Sequence, residues 1–297
     1  MSSAISGTPP LSDRLPPHAW FLVSAVFHYL GPSFAVLLFA SLPPAAVAWL
    51  RITTAGCIFA LWRRPWRPCS ALPRRDLRIV AALGIDLALM NVVFYEAIAR
   101  LPLATVGAIE FLGPIAIAAS GVRTGRNLAA LIFAFTGVGV LTDARLAGEP
   151  LGYLFAFADC ALFALYILLG HRISSGGGGI SGIDRLAAAM LFASVAALPF
   201  GFRGAWPAFT DPLLLGAAAG VGISSSVIPY VCDQLAMRRL SRASFALLLS
   251  LLPACAAVTG ALMLRQIPRP LEALGILLVI AGVALHQARP RDQNESV

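Results

Sequence analysis

Apolar runs of roughly 17–23 residues recur along this chain, the length that carries an α-helix across about 30 Å of hydrocarbon. Inside a bilayer every backbone polar group must be satisfied within the protein, so runs of this kind predict helices. Ten are expected, at 18–40, 43–62, 77–99, 103–121, 127–143, 151–170, 184–202, 212–234, 243–264 and 271–287. The connections are short, so neighbouring helices pack as antiparallel hairpins. Composition agrees: 59% of residues are hydrophobic and 12% charged, against about 45–50% and about 25% in soluble domains. Residues 1–17 are polar and proline-rich and are expected to form a disordered tail, and 288–297 form a second tail. The first apolar run is too long for a signal-peptide core, so it is expected to be retained as a helix.

The net charge of +8 invites a nucleic-acid partner. The positions of the basic residues exclude it. They are all arginines, and nearly all sit in loops between apolar runs. With the N-terminus inside, 16 of the 22 fall on the cytoplasmic side. Arg100, Arg145, Arg203, Arg265 and Arg269 fall outside, and Arg51 lies within the second helix. This asymmetry follows the positive-inside rule and puts both termini in the cytoplasm.

The chain is also internally duplicated. The segment from Ala97 through Arg100-Leu101 to Pro114 returns 139 residues later, from Ala236 through Arg239-Leu240 to Pro253. Gly137-Val138-Gly139 similarly resembles Ala281-Gly282-Val283. Five helices per copy is an odd number, so the second copy enters the membrane upside down. The expected architecture is all-α, with inverted five-helix repeats at 18–143 and 151–287. Inverted repeats typically place a substrate site between them near the midplane, with alternating access around it.

Ionisable or polar groups inside spans are costly and therefore mark candidate sites. Asn91 and Tyr95 share a face of the third helix, and the repeat maps them to Tyr230 and Gln234 on the eighth. They line a cavity or bond helix to helix. Asp159 and Tyr166 share a face of the sixth helix with Phe163, and Asp159 is suited to a substrate ammonium or a proton. Glu110 and Asp86 lie about 10–13 Å inside their helices. Asp86 is on the face opposite Tyr95, which makes it the weaker cavity candidate. His28 and Tyr29 fall at mid-depth in the first helix, where His28 is a structural hydrogen-bonder or a proton relay. Arg51 either snorkels outward or pairs with an intramembrane carboxylate. Ser224-Ser225-Ser226 before Pro229 marks a loosened stretch of the eighth helix, and Pro32, Pro114 and Pro253 are expected kinks.

Other chemistries find no support. The five cysteines contain no CxxC pair. The glycine run at 176–179 lacks the GK[ST] of a phosphate loop. The four histidines are scattered, with no HExxH and no paired DxD, so neither a metal site nor an intramembrane enzyme is expected and no cofactor is assigned.

Asn91-Val92-Val93-Phe94-Tyr95, Ala99-Arg100-Leu101-Pro102-Leu103 and Ile109-Glu110-Phe111-Leu112-Gly113-Pro114 resemble the first unit of EamA-type carriers of the drug/metabolite transporter superfamily. Ser225-Ser226-Val227-Ile228-Pro229-Tyr230, Arg238-Arg239-Leu240 and Ser250-Leu251-Leu252-Pro253 resemble the second, and Tyr166–Arg172 fits the end of the sixth helix. The resemblance is nearest to bacterial threonine/homoserine exporters, with aromatic amino-acid exporters as relatives. It implies ten helices, an inner-membrane location, a small-molecule amino-acid cargo, and Asn91, Tyr95 and Glu110 among the cavity residues. The chain departs from the family pattern at Leu252 and Gln266, where carboxylates are usual. Proton-coupled and facilitative export both stay open, as does an apolar drug or nucleobase-type cargo.

Overall fold

The computed structural model describes residues 16–69, 72–113, 115–116, 124–143, 149–174, 182–237 and 252–285. Among the described residues the chain is helical, with no strand. The helices are α1 (Pro17–Leu38), α2 (Pro44–Arg63), a short α3 (Trp66–Cys69), α4 (Arg74–Ile98), α5 (Leu103–Glu110) and α6 (Gly125–Asp143). There follow α7 (Pro150–Ser174), α8 (Gly182–Gly201), a short α9 (Trp206–Thr210), α10 (Pro212–Gly222), α11 (Ile228–Met237), α12 (Leu252–Leu264) and α13 (Pro270–Leu285). A π-helical turn, Ile223–Val227, joins α10 to α11 without interruption.

Prolines open many of these helices. Pro17, Pro44, Pro150, Pro212 and Pro270 begin theirs, and Pro73 and Pro102 cap α4 and α5. A proline costs nothing there, because the first N–H groups of a helix have no intrahelical partner. Among the described residues six helices are long and apolar enough to span a membrane: α1, α2, α4, α7 and α8 within their bounds, and Pro212–Cys232. Gly125–Leu141, α12 and α13 are shorter apolar helices.

Each of the ten expected segments contains helix among its described residues, with boundaries shifted by a few positions. Two segments differ in kind. The helix expected over 103–121 is α-helical from Leu103 to Glu110, breaks at Phe111, which forms a turn, and is helical again at Leu112, Gly113, Ile115 and Ala116. The eighth helix carries the π-turn where loosening was expected. The tails lie outside the described residues apart from Pro16 and Pro17, and so do the kink at Pro114 and the first part of the segment expected over 243–264.

Small residues let the helices meet backbone to backbone, the usual device where lipid removes any hydrophobic drive between helices. α8 wedges between α2 and α4: a Cβ on Gly84 would meet Ala189 O at 2.6 Å, and one on Gly201 would meet Ala45 O at 2.7 Å. α6 lies against α13, where Gly137 and Gly275 each face the other's carbonyl and Gly282 faces Ala130 O at 2.7 Å. α1 packs on the π-turn, α11 and α12, α7 packs on α4 and α5, and α5 meets α12.

Candidate functional site

The break after α5 and the π-turn put polar groups at the centre of the helix packing. Pro229 cannot donate to the carbonyl of Ser225, four residues earlier, so that oxygen is released from the helix ladder. Arg51, on α2, takes it. Its Nη2 donates to Ser225 O at 2.8 Å and its Nε to Ser226 Oγ at 2.8 Å. Its Nη1 lies 3.5 Å from Tyr95 Oη, and the guanidinium stacks over the Tyr95 ring, 5.4 Å from the centroid. Arg51 is 7% exposed. The outward snorkel expected of it is therefore wrong, because the bonds it makes inside outweigh the reach to the membrane surface. Nor does it touch a carboxylate: among the described residues none lies within 4 Å of it. Glu110 and Asp159 are nevertheless close enough to feel its charge.

Tyr29 enters the interior from α1. It is fully buried, and its hydroxyl donates to Glu110 Oε2 at 3.5 Å. Gly107, one turn before Glu110, makes room for it, since a Cβ there would stand 3.0 Å from Tyr29 Oη. Asp159, on α7, is also fully buried, and neither carboxylate oxygen has a hydrogen-bond partner among the described residues. It lies within electrostatic reach of Tyr29, Glu110 and Asp86. A buried carboxylate without a donor is costly to keep and needs a functional reason.

The remaining predicted residues are spread around this centre. Tyr95 is fully buried and meets Phe39 and Phe94 edge-on, with centroids 5.9 Å away in both cases. Asn91 is buried, and its Nδ2 donates to Leu87 O of its own helix at 2.7 Å. His28 is half-buried and edge-on to the Tyr29 ring at 5.5 Å. Tyr166 stacks on Phe163 at 6.0 Å, and Phe163 in turn touches Phe111 at the α5 break. Tyr230 is half-buried in α11 against the core. Gln234 lies on α11, with its side chain outside the described residues. Asp86, expected to matter less, is buried with both oxygens unpartnered.

An open cavity of about 400 Å³ lies between the loop before α5 and the loop before α13. Arg100, Thr105, Arg265, Gln266 and Glu272 give it a polar lining. Gln266 Oε1 accepts the Leu103 backbone N–H at 3.0 Å, tying the two loops together. α5 runs from this cavity to Glu110, roughly 10 Å at 1.5 Å per residue.

Comparison with known proteins identifies the scaffold. Residues 150–286 match the model of the EamA-like transporter family. The threonine/homoserine exporter RhtA of Escherichia coli (strain K12) is 31% identical over 263 residues, covering 85% of this chain and 84% of that one. The chain belongs to the EamA-like transporter family. A second relative, the threonine/homoserine exporter RhtA of Salmonella typhimurium (strain SL1344), is 29% identical over 259 residues, with the same coverage. A crystal structure of another protein, 20% identical, shares the fold with a TM-score of 0.58, covering 90% of this chain and 96% of that one. This EamA-like chain is thus a multi-pass membrane transporter and not an enzyme.

The sequence did not single out Ser225 and Ser226 as partners of Arg51. The signal was present: a proline four residues after a buried serine frees a carbonyl, and an arginine eight residues into a span needs an acceptor.

Proposed function

We propose that this protein exports amino acids and related metabolites, threonine or homoserine among them, across the bacterial inner membrane by alternating access. Two inverted repeats, 18–143 and 151–287, form the carrier, and both termini are cytoplasmic. The cargo binds at Tyr29, Glu110 and Asp159 with Tyr95, and Asn91, Tyr166, Tyr230, Gln234 and His28 line the route.

The observation that carries this is Asp159, a fully buried carboxylate with no donor among the described residues, within electrostatic reach of Glu110 and Tyr29. A substrate ammonium supplies the missing partner. An apolar drug would leave the carboxylate as it stands, which is why the amino-acid cargo is preferred. The exporter names of the relatives point the same way. The packing supports paired halves: α1 meets the π-turn, α11 and α12 as α7 meets α4 and α5, while α2 pairs with α8, α5 with α12 and α6 with α13. The cavity bounded by Arg100 and Arg265 is the outer vestibule, on the side that the arginine distribution assigns to the exterior.

Cells preloaded with labelled threonine and expressing the chain should release it faster than cells carrying an inactive Asp159→Asn variant. Equal release from the two, for threonine, homoserine and the other amino acids alike, removes the proposed cargo class.

A further inference from the structure

We infer that Arg51 is the group that selects the cargo's carboxylate, and that the π-turn of the eighth helix exists to aim it. This rests on the amino-acid cargo proposed above and names the residue that recognises its anionic end.

A guanidinium presents two forked edges, each able to grip a carboxylate with two parallel N–H groups. In Arg51 the Nε/Nη2 edge is filled by Ser226 Oγ and Ser225 O, both at 2.8 Å. The Nη1/Nη2 edge carries only the long 3.5 Å approach to Tyr95 Oη. The occupied edge fixes the plane of the group, and the Tyr95 ring fixes its tilt from one face. The open edge keeps buried N–H donors for which no closer acceptor stands among the described residues. Burial matters, because a charge-assisted pair formed away from water is stronger and more selective than one at the surface.

The π-turn supplies the second, independent observation. A π-helical turn is uncommon and concentrates at functional sites. Here it coincides with the carbonyl that Pro229 strands, and that carbonyl is one of the two acceptors holding Arg51. α1 also closes on this turn. A Cβ on Gly31 would lie 2.6 Å from Ser225 Cα and 2.7 Å from Ser225 N, and Ser24 Oγ donates to Pro229 O at 3.3 Å. The turn is thus clamped between α1 and α2, and the bonds to Ser225 O and Ser226 Oγ hold Arg51 with its Nη1/Nη2 edge turned to no closer acceptor among the described residues. Asp159 and Glu110 lie within electrostatic reach of Arg51 but not in contact with it, and are the carboxylates left to take the ammonium. A zwitterion of amino-acid size bridges Arg51 and these carboxylates. An amine without a carboxylate of its own meets only the latter.

The test is counterflow in liposomes containing the purified full chain, with threonine and with threoninol, which keeps the amine and side chain but has a hydroxymethyl group in place of the carboxylate. Wild type should favour threonine by at least about tenfold. Arg51→Gln should lose most threonine transport and bring the threonine-to-threoninol ratio close to one. Ser226→Ala, which removes one aiming bond, should raise the KM for threonine severalfold and leave that for threoninol unmoved, which a merely structural role would not do. A wild-type ratio near one, or an unchanged ratio in Arg51→Gln, overturns the inference while leaving the exporter intact. If Arg51→Gln does not fold, Ser226→Ala decides, and an unchanged KM for threonine overturns it. If wild type carries no amino acid, the proposed function fails first. Thermal stabilisation by 3-hydroxybutyrate, a carboxylate without the amine, then decides for Arg51: stabilisation lost in Ser226→Ala upholds carboxylate binding, and none in wild type overturns it.

Discussion

Arg51 Nε donates to Ser226 Oγ at 2.8 Å, joining residues 175 positions apart in the sequence and lying in opposite halves of the chain. Both groups are buried. Removing the hydroxyl leaves a buried charged donor unsatisfied, at a cost of about 1.5–3 kcal/mol. Ser226→Ala is therefore expected to lower the thermal unfolding temperature of the purified protein in detergent, and Ser226→Thr should restore most of it.

Gly31 is the point of closest approach between α1 and the π-turn. Any side chain there overlaps the backbone of Ser225. Overpacking at such a site costs about 1–3 kcal/mol or more. Gly31→Val should sharply reduce folded protein in size-exclusion profiles. Gly170→Ala should not, because nothing lies within 4 Å of a Cβ at that position.

Asp159 separates stability from function. Its carboxylate is fully buried and accepts no hydrogen bond among the described residues. Replacing a buried, unpartnered ionisable group with a neutral isostere removes a desolvation cost. Asp159→Asn should keep or raise the unfolding temperature while lowering amino-acid efflux by about tenfold or more, the loss of roughly 1.4 kcal/mol of cargo binding. A fall in both stability and transport would make Asp159 a structural residue.

The orientation is open to direct measurement. The arginine distribution puts both termini inside. A fluorescent protein fused after Val297 should fold and fluoresce, and alkaline phosphatase fused there should stay inactive. The reverse pattern would invert the vestibule and the direction assigned to it.

Much of this molecule was legible in the sequence, for definite reasons. Apolar length placed helices at every expected segment because the bilayer permits little else. Pro229 and the serine triplet marked the loosened turn because a proline's missing N–H is a local fact. The one-residue break at Phe111, with helix on both sides of it, was hidden, because an apolar Phe in an apolar run gives no local sign of a turn. Arg51 was misjudged for a different reason. Its choice between the membrane surface and the interior depended on a carbonyl contributed by residue 225, and no local pattern reports that meeting. Asn91 shows the converse: its polarity was legible, but its bond to Leu87 O of its own helix was not.

Counterflow in liposomes containing only the purified chain bears most directly on amino-acid transport through the buried cluster. Liposomes loaded with unlabelled threonine should accumulate labelled threonine well above protein-free controls, and Asp159→Asn liposomes should not. No accumulation above controls for any amino acid, or equal accumulation with Asp159→Asn, would contradict it.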